Sequence, residues 1–279
     1  VWDIDERAMV VPAHCWTPWF SVFGSMSGFD TLEECYDEYA QYIYAVETGL
    51  SSDPAMNWRL SRLDGIALIS NSDSHSLQKI GREANVLDAE LSYNGIMDAI
   101  KSHDPKKFLF TVEFFPEEGK YHYDGHRACG FSSGPAETKK LNKLCQKCGK
   151  PVTVGVLHRV DELADRPAGA PVPVGAIPFK SMVPLDEIIA EAFGMGTASK
   201  KVKEEYRRLV EKIGTEFAVL IDASRADLDA ATVPEVAEGI MRVREGRLHI
   251  EPGYDGEYGK VKIFEAGERP ASTPQATLF

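Results

Sequence analysis

The sequence predicts an α/β fold with a small metal-binding module and a helical C-terminal region. Three observations carry this. Short apolar runs at 8–13 and 65–70 alternate with stretches of helical spacing, His126-x2-Cys129 is matched fifteen residues later by Cys145-x2-Cys148, and amphipathic repeats follow residue 180.

Each apolar run ends in small or polar residues and then a histidine, the pattern of a buried parallel strand. Between them Thr31 caps a helix with Glu34 three residues on, and Cys35, Tyr39, Tyr42, Ile43 and Val46 follow at helical spacing. A second helix is expected at 93–103, then a strand at 108–114. The run 151–156 is also a strand signal. Residues 166–180 hold too many prolines and glycines for a regular element, so the main boundary is expected there. Helices follow at 185–193, at 200–213 with Ser199 as N-cap, and at 234–245 with proline first. Segments 248–252 and 260–264 flank a glycine-rich turn as a hairpin. The tail from 265 is Pro/Ser/Thr/Ala-rich and expected to be disordered.

With 279 residues and 43% hydrophobic content, the chain can bury a sizeable core. No apolar run is long enough for a membrane span, and no leader composition precedes residue 8, so a cytoplasmic protein without membrane partners is expected. The first residue is Val1, which suggests a start inside a longer gene product. A net charge of −12 argues against coating nucleic acid by bulk electrostatics. The distribution is uneven: residues 1–65 carry three basic and eleven acidic side chains, residues 120–150 seven basic and two acidic.

His126, Cys129, Cys145 and Cys148 have the spacing of two knuckles that close a tetrahedral site around Zn²⁺, with no open position, so the role is structural. Lys139, Lys140, Lys143, Lys147 and Lys150 lie in and around the knuckles. They read either as a DNA-backbone contact or as a solvated loop. Asp73-x-His75 at the end of an apolar run supplies a carboxylate and an imidazole to one barrel mouth, or else caps a turn. His14 ends the other run, as a metal ligand or a hydrogen-bonded core histidine.

Several longer motifs resemble endonuclease Q, a metal-dependent DNA repair nuclease with a PHP (polymerase and histidinol phosphatase) domain. They are Pro12-Ala-His-Cys-Trp-Thr-Pro-Trp-Phe20, Glu47-Thr-Gly-Leu-Ser-Ser-Asp-Pro54, Ser72-Asp-Ser-His75 with Gly81-Arg-Glu-Ala-Asn85, and Glu113-Phe-Phe-Pro-Glu-Glu-Gly-Lys-Tyr-His-Tyr-Asp-Gly-His-Arg127. Gly155–Asp165 and Glu251–Gly256 add to the match, which runs from about residue 8 to 264.

The resemblance implies a partial, distorted TIM-like PHP barrel, a zinc ribbon and a helical DNA-gripping region. Residues 1–119 would be the C-terminal part of the PHP domain, 120–165 the ribbon, 166–180 a connection, 181–264 the gripping region and 265–279 the tail. By position, His14, Asp73 and His75 match catalytic metal ligands, with Glu47 a lesser one. They would hold a cluster of Zn²⁺, Mg²⁺ or Mn²⁺, and no organic cofactor is implied. The implied reaction is hydrolysis by metal-activated water of the phosphodiester 5′ to hypoxanthine, uracil, xanthine or an abasic site in duplex DNA, with the base extruded. Trp16, Trp19, Phe20 and Trp58 are candidates to stack on such a base or to fill the core. A small-molecule PHP phosphoesterase, which needs neither a zinc ribbon nor a DNA-gripping extension, is one alternative; a non-catalytic DNA-binding fragment, supported by the absence here of the family's opening His-x-His, is another. The sequence leaves open whether Glu117, Glu118 and His122 act in chemistry or in the ribbon.

Overall fold

The computed structural model describes residues 1–26, 28–265 and 267–268. The chain forms two compact units, Val1–Lys180 with Glu251–Lys260, and Ser181–Ile250 with the residues from Val261 onward. The expected tail lies mostly outside the described residues.

In the first unit, α1 (Leu32–Tyr36) starts where expected, with the Glu34 amide donating to Thr31 Oγ1 at 3.1 Å. It does not continue to Val46. Asp37 turns to φ 48°, residues 37–42 tighten into a 3₁₀ helix, and Val46 lies in β1 (Ala45–Glu47). The acids Glu33, Glu34, Asp37 and Glu38 crowd this stretch without a base at its C-terminal end, which disfavours a longer helix.

After α2 (Pro54–Asn57), β2 (Ala67–Ile69) pairs parallel with β1. The run 8–13 is not a strand, contrary to expectation. Pro12 has no amide to donate, so residues 12–15 only accompany β1: the Glu47 amide donates to the Pro12 carbonyl at 3.0 Å and the Cys15 amide to the Glu47 carbonyl at 3.1 Å. Both faces of β1 are buried. Val46 packs with Cys15, Trp16, Phe23 and Leu60, and Ala45 with Ile69, Ile100 and Phe108.

Next come β3 (Ala84–Leu87), α3 (Tyr93–Ser102) and β4 (Phe108–Glu113), the two strands antiparallel. The knuckle region adds the antiparallel pair β5 (Asp124–His126) and β6 (Phe131–Ser133), then α4 (Pro135–Lys140) and α5 (Val156–Leu163). The expected strand at 151–156 is reduced to single bridges at Pro151 and Thr153, because α5 takes over at Val156. The strand β7 (Phe179–Ser181) joins the edge of β4. The described strands form four sheets of two or three strands rather than a closed ring.

The second unit is helical: α6 (Leu185–Phe193), α7 (Lys200–Ile213), α8 (Arg225–Ala231) and α9 (Pro234–Arg244). Leu185, Ile188, Ile189, Leu209, Leu228 and Ile240 are fully buried. A π-helical turn at Ala218–Asp222 and α8 were not expected from the sequence. Finally β8 (His249–Glu251) and β9 (Lys260–Lys262) pair as the expected hairpin. Among the described residues, no helix is long and apolar enough to cross a membrane.

Candidate active site and metal centre

At the ends of β1 and β2 the first unit opens a pocket of about 250 Å³. One part of its wall carries His14, Thr17, Glu47, Gly49 and Asp73, and Pro116, Lys120, Tyr121, His122 and Tyr258 also line it.

A chain of hydrogen bonds sets the first part of the wall. The His14 amide donates to Glu47 Oε2 at 2.6 Å, and Asn71 Nδ2 donates to Glu47 Oε1 at 2.9 Å. Asn85 Nδ2 donates to Asn71 Oδ1 at 3.1 Å and to the Ser70 carbonyl at 2.8 Å. His14 and Asp73 both have left-handed backbone, φ 30° and 45°. Such conformations cost energy in residues with a side chain and gather at functional sites. Gly49, at φ 58°, lies so close beneath His14 that a Cβ there would meet the His14 Cβ at 2.8 Å.

His75 is exposed and does not line the pocket. Its Nδ1 lies 2.8 Å from the Asp73 carbonyl, which can only accept, so Nδ1 is the donor there. His14, Glu47, Asp73 and His75 are donors of the kinds that divalent cations take. Yet no three of the four bring ligand atoms within 4.8 Å of one another.

Behind this wall lie two buried acids that sequence reasoning did not assign to the site. Burial pushes the Glu113 carboxyl up to about 7, against the Thr111 and Thr48 hydroxyls that donate to it at 2.5 and 2.8 Å. Burial and the neighbouring Glu113 push Glu83 up to about 9, and its Oε2 has no partner among the described residues. Both acids lie in quoted motifs, but nothing in a single sequence separates a buried carboxylate from a ligand.

The lining residues Lys120, Tyr121 and Tyr258 were also missed. Lys120 Nζ lies 4.5 Å from the centre of the Tyr258 ring, and Trp19 packs edge-on against Tyr121 at 5.1 Å. Of the aromatic candidates, Trp16 is core, its Nε1 donating to Asn57 Oδ1 at 2.7 Å, and Trp58 packs on Phe179. Trp19 and Phe20 are exposed.

The knuckles do converge. His126, Cys129, Cys145 and Cys148 place their ligand atoms within 4.8 Å of one another, a set able to hold a metal ion. Burial pushes the Cys145 thiol up, but the Lys147 and Cys148 amides outweigh it and bring it down to about 6. Thiolate sulfur and imidazole nitrogen are the donors of a four-coordinate site.

Three of the five lysines in and around the knuckles are tied down. Lys139 pairs with Asp161 and Lys143 with Glu162, both on α5, while Lys147 donates to the Cys129 and Gly130 carbonyls at 2.8 and 3.1 Å.

The family model for the MJ0043 C-terminal domain matches residues 184–247. The uncharacterized protein MJ0043 of Methanocaldococcus jannaschii is 34% identical over 90% of this chain and 31% of its own length. The uncharacterized protein YqxK of Bacillus subtilis is 34% identical over 92% of this chain and 62% of its own. Among solved structures, the lesion-specific endonuclease PfuEndoQ from Pyrococcus furiosus matches at TM-score 0.80 and 32% identity, covering 90% of this chain and 62% of that one. An endonuclease Q complex with a 27-mer duplex substrate, an abasic lesion at its active site, matches at TM-score 0.78 and 32% identity, covering 91% and 63%. This chain therefore resembles endonuclease Q in sequence and in α/β fold over nine tenths of its length, while spanning less than two thirds of those proteins.

Proposed function

We propose that this chain carries the lesion-recognising part of an endonuclease Q type DNA repair endonuclease, which hydrolyses the phosphodiester 5′ to a deaminated base or an abasic site. The observation that carries this reading is the pocket: His14, Glu47 and Asp73 line it together with Lys120, Tyr121 and Tyr258, on a fold similar to that of a lesion-specific endonuclease. Residues 12–15, β1 and β2 then read as a sector of a PHP-type barrel.

Asp73 and His14 would hold a divalent cation, with His75 and Glu47 as further candidate ligands. A bound cation supplies Lewis acidity, lowering the pKa of water and neutralising charge that develops on phosphate oxygens. Lys120, in the same lining, offers phosphate a positive charge. A base extruded from the duplex would stack on Tyr121 or Tyr258. The four knuckle residues hold a structural Zn²⁺, and Lys140 with its neighbours adds backbone contacts.

Nicking of a labelled duplex with a single deoxyinosine, in Mg²⁺ or Mn²⁺, tests this reading. A cut 5′ to the lesion is expected, lost by at least about a hundredfold in Asp73→Ala, since removing one charged group of such a site typically costs several kcal/mol. Equal cutting by both proteins would remove Asp73 from the site.

A second reading, lesion binding without cleavage, is favoured by the spread of His14, Glu47, Asp73 and His75. It is the better account if lesion duplex is bound but not cut.

A further inference from the structure

Between two core aromatics stands one that is not in the core. Trp16 and Phe23 are fully buried and pack on each other with ring centroids 4.9 Å apart, while Phe20 between them is 93% exposed. Its backbone is left-handed, φ 59°. That conformation strains a residue with a large side chain and suits glycine or asparagine, which would hold the turn at less cost. An exposed phenylalanine also gains nothing from burial. Folding therefore gives no reason for this side chain at this position.

The turn that presents Phe20 is firmly built and belongs to the pocket. Thr17 and Pro18 line the pocket, and Trp19 packs edge-on against Tyr121, which lines it too. The Ser21 hydroxyl donates to the Thr17 carbonyl, the Met26 amide to the Pro18 carbonyl at 2.9 Å and the Phe23 amide to the Cys15 carbonyl at 2.8 Å. Gly24 leaves no room for a Cβ, which would run into the Thr17 and Pro18 carbonyls. An aromatic ring is thus held in solvent on a pinned turn, two residues from the lining. Phe20 itself does not line the cavity, so it is not placed to stack on a base inside it.

We infer that Phe20 is the wedge that enters duplex DNA and fills the place of the extruded lesion. This rests on the function proposed above and deepens it. Extruding one nucleotide leaves a gap of one base layer, about 3.4 Å, in its strand, and the flanking bases lose a stacking partner. An aromatic ring is of that thickness. Offered from a pinned turn, it replaces the lost stacking and needs little ordering on binding. The ring reads no base edge, so it serves hypoxanthine, uracil and an abasic site alike, and recognition of the base stays with the residues that line the pocket. Backbone strain and an exposed apolar ring, both unfavourable in the free protein, are then explained by one role in the complex.

The test is equilibrium binding of the full chain to two deoxyinosine substrates, one with the lesion paired in a continuous duplex and one with the lesion as a single-nucleotide bulge. A bulged nucleotide leaves no gap when it is extruded, because its flanking pairs stack on each other. Phe20→Ala should weaken binding to the paired lesion about tenfold, the scale of one lost base–aromatic stack, and leave binding to the bulge within about twofold of wild type. Phe20→Trp should keep the affinity for the paired lesion. Phe20→Gly removes the ring and the backbone strain together, so it should melt above Phe20→Ala and still show the same selective loss. Equal loss on both substrates, or no loss on the paired one, overturns the inference while leaving lesion binding intact. A wild-type chain that binds neither lesion substrate better than its undamaged counterpart overturns the proposed function itself.

Discussion

The pocket of the first unit and the helices of the second are built by opposite means. In the helical unit, order starts locally. Ser199 caps α7, Ser224 and Asp227 form a capping box on α8, Pro234 opens α9, and each helix buries an apolar stripe. The pocket draws side chains from residue 14 to residue 258 and holds two of them in left-handed backbone. Just behind it are two acids whose pKa values burial raises, Glu83 to about 9 and Glu113 to about 7. Regular segments tolerate change at single positions. A site assembled across more than 240 residues holds strain and buried polarity that only the surrounding fold supports.

The sharpest break in that comparison should come at the knuckles. Structural zinc contributes on the order of 10 kcal/mol in isolated zinc-binding modules. Cys145→Ser should therefore lose bound metal and melt residues 120–155 ahead of the rest, read by metal analysis and hydrogen exchange. Unchanged metal content would show that the cluster is not a metal site.

Gly49→Ala probes the strained wall. The new methyl group meets both a left-handed φ and His14, so a loss of about 3 kcal/mol is expected, together with weakened lesion binding. A loss within about 0.5 kcal/mol would mean that the loop relaxes freely.

Glu83→Gln probes the buried acids. A carboxyl whose pKa is raised in the fold holds its proton more tightly there than in the unfolded chain. Stability should therefore fall as pH rises from the ordinary carboxylate range through about 7 for Glu113 and about 9 for Glu83. The variant should match wild type near pH 4 and exceed it by several kcal/mol at pH 8, seen in denaturant unfolding against pH. Parallel pH curves for the two proteins would refute this.

Ser199→Ala, in the locally encoded unit, should cost only about 1 kcal/mol and leave lesion binding untouched. A larger loss would mean that α7 depends on more than its own cap.

Much of the second unit was legible in the sequence because its signals are local: α6 and α7 match the expected spans, and Ser199 is the cap. The knuckle cluster was legible for the same reason, since each pair is two residues apart. The failures lie where tertiary contacts outweigh local preference. The helix expected through Val46 gave way because that residue is needed in a strand buried on both faces. Residues 8–13 read as a strand but only border one.

By itself, then, the sequence determined the α/β class, the metal-competent cluster, the C-terminal helices and the motifs shared with endonuclease Q. Only the tertiary structure decided that His14, Glu47 and Asp73 share a pocket with Lys120, His122 and Tyr258 while His75 lies outside it. It also decided that Glu83 and Glu113 are buried with raised pKa values, and that three of the five lysines are tied to their own fold. The reason is physical: spacing and capping act within a turn or two, whereas burial and proximity across the chain arise only once distant segments have packed.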